Sequence, residues 1–125
     1  MKKKLFITSA FTLLLILMFS LHSSADETSV KIKAPEKVEK GAEVTIKIEV
    51  THDGNNFLHH TNWVWIKVNG TEYKKWEYGG FSKPEGEDFS LEIKLKIDEP
   101  TTIEAEGNCN MHGSAGSESI KIELK

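Results

Sequence analysis

Phe89-Ser90-Leu91-Glu92-Ile93-Lys94-Leu95-Lys96-Ile97 sets an apolar side chain at every second position with a polar or charged one between. A period of two belongs to a strand with one buried and one wet face, because successive side chains leave the backbone on opposite sides. Asp98-Glu99-Pro100 ends the run, since proline has no N–H to continue a ladder. The same alternation recurs on both sides of it. Ser29 to Ala34 and Glu43 to Val50 show it upstream, the latter with Val44, Ile46, Ile48 and Val50 on one face. Thr101 to Glu106 and the closing run with Ile120, Ile122 and Leu124 show it downstream. Thr61 to Val68 puts Trp63 and Trp65 on one face and Val64, Ile66 and Val68 on the other, which predicts a central strand buried on both sides. Asn69-Gly70 is a hairpin turn returning through Thr71 to Tyr78. No stretch carries a helical period. The expected fold is all-β, an immunoglobulin-like antiparallel β-sandwich of about seven strands.

The beginning of the chain is of another kind. Lys2, Lys3 and Lys4 lead into an apolar run from Leu5 to Leu21, and Ser23-Ser24-Ala25 offers small residues for cleavage. Residues 1–25 read as a secretory signal peptide cut after Ala25, leaving one domain over residues 26–125 in a secreted or periplasmic location. A retained membrane anchor is the alternative, because the run is close to bilayer-spanning length. The formal charge is −3 for the whole chain and −6 once the three leader lysines are removed. With no basic stripe and no arginine, nucleic acid is not an expected partner. A membrane is expected as one only if the leader stays.

Chemistry concentrates in two loop-like stretches. Gly107-Asn108-Cys109-Asn110-Met111-His112-Gly113 holds the single cysteine, with a histidine three positions on. Thr51-His52-Asp53-Gly54-Asn55-Asn56-Phe57-Leu58-His59-His60 holds every other histidine outside the leader. A lone cysteine in an exported chain cannot form an internal disulfide. Left alone it reads as an inert buried thiol; beside His112 and flanking glycines it reads as a metal thiolate. Both stretches border strands, so a sandwich can bring them together at one end. Ligand type alone leaves the metal open among iron, copper, nickel and zinc.

Asn108-Cys109-Asn110-Met111-His112-Gly113 resembles the Cys-Asn-x-His-Gly motif of the superoxide reductases, the neelaredoxins and the iron domain of desulfoferrodoxins. His52 followed by His59-His60-Thr61-Asn62-Trp63 resembles their His-(x)n-His-His-x-x-Trp segment, and Ala34 to Gly41 is similar to their first strand connection. The resemblance spans essentially the whole mature chain. It implies a mononuclear non-haem iron with His52, His59 and His112 as imidazole ligands and Cys109 as the axial, catalytic thiolate. The implied reaction reduces superoxide to hydrogen peroxide. A separate protein must donate the electron, since there is no second cysteine cluster for a rubredoxin-like centre.

The resemblance is incomplete at the N-terminus. The family carries a Glu-Lys-His run before its first strand, which supplies a fourth imidazole and a lysine that attracts the anionic substrate. Aligned on Ala34-Pro35, this chain has Asp26, Glu27 and Thr28 there. The loop between His52 and His59 is also one residue longer than the family spacing. Water, Asp26 or the α-amino group of a cleaved chain could fill the vacated position. His60 is the other candidate, although neighbours at the start of a strand point to opposite faces.

Two readings from other classes share the sandwich. A blue-copper electron carrier uses two imidazoles, a thiolate and commonly a methionine after the loop histidine, and no methionine follows His112. Three imidazoles and a thiolate could also close a structural zinc site, or the chain could be a sulfur-compound-binding relative.

Overall fold

A computed structural model of the protein describes residues 27–125. The leader, its cleavage point and Asp26 lie outside the described residues. Eight strands follow one another: β1 Ser29–Lys33, β2 Lys37–Val38, β3 Ala42–Thr51, β4 Thr61–Val68, β5 Thr71–Glu77, β6 Asp88–Ile97, β7 Thr101–Cys109 and β8 Glu118–Leu124. They form a three-stranded sheet in the order β1-β3-β6 and a five-stranded sheet in the order β2-β8-β7-β4-β5. The all-β sandwich expected from the alternation is what the chain adopts. The eighth strand is β2, two residues paired parallel to β8 through Lys37↔Glu123 and Val38↔Leu124. A segment that short has no period to detect.

The core follows from the alternation. β3 and β6 pair antiparallel from Ala42↔Ile97 to Thr51↔Asp88, so Ile46 and Ile93 are direct partners. Val44, Ile46, Ile48 and Val50 turn inward together with Phe89, Ile93 and Ile97. Val64, Ile66, Ile103, Ala105 and Ile122 meet them from the larger sheet. Burial of these side chains is the dominant stabilising term.

β4 departs from expectation. It lies inside its sheet, between β7 and β5, and Val64 and Ile66 are fully buried. Trp63 and Trp65, however, are only half-buried, on the sheet's outer face. There the Lys67 Nζ stands 4.6 Å from the Trp65 ring and the Lys75 Nζ 5.7 Å from that of Trp63. Alternation separates two faces but cannot say that both are covered, and here lysines rather than a second layer lie on the tryptophans. Nearer the loops, Tyr78 packs edge-on against Phe89 at 5.7 Å. Burial, and then the Glu85 carboxylate, hold its phenol above the ordinary tyrosine range.

Candidate metal centre

β3 and β7 deliver the site, one from each sheet. Along β3 the inward phase runs through Ile46, Ile48 and Val50 and continues to His52, which is 2 % exposed. His52 N–H donates to the Glu87 carbonyl at 3.1 Å, so the β3–β6 pairing persists one step past the strand. Along β7 the inward residues are Thr101, Ile103, Ala105, Gly107 and finally Cys109, 1 % exposed. The two residues therefore meet across the open end of the sandwich, where the apolar filling stops.

Cys109 and His112 share one tight turn. Cys109 N–H donates to the Gly113 carbonyl at 2.8 Å and Gly113 N–H donates back at 3.0 Å. Gly113 has φ +83°, a conformation that L side chains rarely adopt, and this is why glycine stands there. The turn aims the backbone N–H groups of Met111 and His112 at the Cys109 Sγ, each at 3.4 Å. Two such donors favour negative charge on sulfur when it ligates a metal.

His59 is set by its own loop. Asn56 Oδ1 accepts from the N–H groups of Leu58 and His59, both at 2.9 Å. Asn56 N–H donates to the His59 carbonyl at 2.8 Å. Gly54 then packs under the imidazole. It has φ +130°, and a Cβ there would lie 2.7 Å from His59 Nδ1. Gly54→Ala is therefore expected to tilt the His59 ring and weaken cobalt(II) binding by about ten-fold or more, as loss of an outer support typically does. A competitive metal titration checks this, and an unchanged affinity would contradict it.

The four residues singled out in the sequence, His52, His59, Cys109 and His112, come together. His52 Nε2 lies 3.2 Å from His59 Nε2, which lies 3.0 Å from His112 Nδ1. His112 Nδ1 is 3.8 Å from Cys109 Sγ. One donor atom from each of His52, His59 and Cys109 falls within 4.8 Å of the others. A ring nitrogen carries either one in-plane hydrogen or one lone pair. His59 Nε2 therefore has one hydrogen or one lone pair to share between two neighbouring ring nitrogens. A cation accepting lone pairs from all three would use each nitrogen fully. The spacing suits it, because two ligand atoms ~2.1 Å from one ion at right angles are about 3 Å apart. His52 Nδ1, buried with no hydrogen-bond partner, adds to the cost of burying this ring, which a bound ion offsets.

Other candidates are placed differently. His60 is buried, and its Nδ1 stands 3.0 Å from the Asn56 carbonyl, so its ring supports the loop. Met111 is exposed and presents only its N–H to the sulfur. Thr28 is fully buried beside Gly113. Its N–H donates to the Gly113 carbonyl at 3.3 Å, and its Oγ1 lies 3.1 Å from Thr61 Oγ1. Sequence reading passed over Asn56, Gly54 and Asn110. Their clustering as turn-forming residues between two histidines, or beside the cysteine, was the available signal.

The fold and this donor set define an all-β sandwich with a histidine–cysteine cluster at one open end. Residues 22–116 match the sequence profile described as Desulfoferrodoxin, and the chain belongs to that family, whose fold is an iron-binding one. Among solved structures, the superoxide reductase (neelaredoxin) from Ignicoccus hospitalis aligns with TM-score 0.63 and 22 % identity, over 79 % of this chain and 83 % of that one. A single-substitution variant of it aligns with TM-score 0.65 and 22 % identity, over 82 % and 85 %. The sulfur carrier protein SoxY from Chlorobium limicola f thiosulfatophilum aligns with TM-score 0.54 and 15 % identity, over 82 % and 81 %. At these identities the likeness establishes the fold. A search among curated proteins returned no match.

Proposed function

We propose that the protein is an exported superoxide reductase, carrying one electron to superoxide at a mononuclear iron held by His52, His59, His112 and Cys109. The observation that carries this is the convergence of three ring nitrogens and one sulfur at the seam of the two sheets, in a chain of the desulfoferrodoxin family. Overall, one superoxide, one electron and two protons give one hydrogen peroxide. Iron bound there supplies the one-electron couple.

The chain's residues divide the remaining work. His52 and Cys109, both buried, keep water from the inner side of the site, while His112 is exposed and leaves the outer side open to a small anion. The Met111 and His112 N–H groups hold the sulfur in place and temper its donation. Protons come from solvent through the open side. The electron comes from a separate donor protein, since Cys109 is the single cysteine. With the family's lysine absent, attraction of superoxide should be weak, and the acidic surface weakens it further. A closed structural zinc site fits less well, because the exposed His112 leaves it open to solvent.

Product stoichiometry tests the reading. The ferrous protein mixed anaerobically with superoxide should yield one peroxide per superoxide consumed, with the protein oxidised in step. Half that yield would mark dismutation, and oxidation no faster than spontaneous decay of superoxide would remove the activity. Export by the leader, with cleavage after Ala25, belongs to the same proposal. Mass spectrometry finding residues 1–25 retained on the protein from its source would contradict it.

A further inference from the structure

We propose that Asn110 is a positioning residue, a latch whose side-chain amide decides whether His59 reaches the ion held by Cys109 and His112. This rests on the metal reading above and adds a division of labour within the site. Cys109 and His112 are held together within their own turn, closed by the two backbone bonds between Cys109 and Gly113. His59 is in a different position. It comes from a loop fifty residues earlier, lies outside any strand, and has the exposed Phe57 and Leu58 before it.

Asn110 joins the two loops at both of His59's chain neighbours. Its Nδ2 donates to the Leu58 carbonyl at 2.9 Å, and its Oδ1 accepts from the His60 N–H at 2.9 Å. Its own N–H donates to the His60 carbonyl at 3.1 Å. The residue carrying the imidazole is thus bracketed, while its ring remains turned toward His112, 3.0 Å away. The pattern needs an amide. A carboxylate would present oxygen to the Leu58 carbonyl, an apolar side chain would bond to neither backbone group, and a longer amide would push the loops apart. One competing route exists, since Asn110 Oδ1 also lies 3.9 Å from Cys109 Sγ and could act through the sulfur.

A double-mutant cycle on cobalt(II) binding separates the routes. In the full chain, Asn110→Ala should weaken cobalt binding by about 10- to 100-fold, the usual range for an outer-shell partner of a ligand, while the thiolate-to-cobalt absorption persists. In a His59→Ala background the same change should move the affinity by less than about two-fold, because the residue it positions is gone. Asn110→Asp keeps the acceptor for His60 and loses the donor to Leu58. It should give the same non-additive result, and it carries the cycle if the alanine variant folds poorly. Equal losses in both backgrounds, or loss of the thiolate absorption, would overturn the latch while leaving the metal site standing. No cobalt binding by the unaltered chain would overturn both.

Discussion

Cys109→Ala is expected to leave a folded chain that has lost both its metal chemistry and most of its metal. The side chain is small and sits at the end of β7, beyond the isoleucine-rich centre. Its removal should therefore disturb the core little. The loss at the site is of another size. Cys109 is the only soft donor among the four, and it is held by two backbone N–H groups that would be left pointing at an empty space. Loss of an outer-shell partner alone typically weakens a metal by 10- to 100-fold, so loss of the thiolate should exceed ~100-fold. The ferric thiolate absorption should vanish, and reaction with superoxide should fall to that of the metal-free chain. Anaerobic titration with ferrous iron, followed by oxidation and absorption spectroscopy, checks the first two. A variant that kept its iron and its colour would show that the sulfur is not a ligand.

Ile103→Ala should produce the largest loss of stability. Ile103 is fully buried in β7, opposite Val68 of β4 on one side and Ile120 of β8 on the other. Truncation leaves a cavity where three strands and the facing sheet meet, at a cost of about 2–5 kcal/mol. The one cysteine is free, so no cross-link limits the unfolded chain, and a total stability of roughly 5–15 kcal/mol is typical of such a domain. The melting temperature should drop on the order of 10 °C or more. Thermal unfolding must be followed on metal-free protein, because a bound ion stabilises the native state by mass action and would mask part of the loss. Lys121→Ala, on the exposed side of β8, should stay within about ±0.5 kcal/mol. A similar loss from both variants would mean that the core is not where the packing places it.

The sheets were legible because β3, β6 and β7 each bury one face only, whereas β5 buries neither and was legible from its Asn69-Gly70 turn. Ile46, Ile48, Ile93, Ile97 and Ile122 had to alternate with charge, and the phase of β7 already ran through Ile103 and Ala105 to Cys109. Other features left no local trace. β2 is too short to have a period, and its partner strand lies about eighty residues away. Apolar residues on both faces of β4 predict burial on both sides, whereas lysines on β4 and β5 provide the cover of Trp63 and Trp65. The grouping of His52, His59, Cys109 and His112 was visible as residue types beside strand ends. What holds His59 in place was not, since Gly54, Asn56 and Asn110 act through distances that exist only after both loops are folded. His60 shows the same limit, being an apparent ligand by type and a loop support by its bond to the Asn56 carbonyl.

One sulfur and three imidazoles are expected to bind the same iron. X-ray absorption at the iron edge of the anaerobically loaded full chain reads this directly. It should show a single sulfur scatterer at roughly 2.3–2.4 Å, the range of metal–thiolate bonds, with multiple scattering from three imidazole rings. A first shell of oxygen and nitrogen alone, with no sulfur, would contradict it.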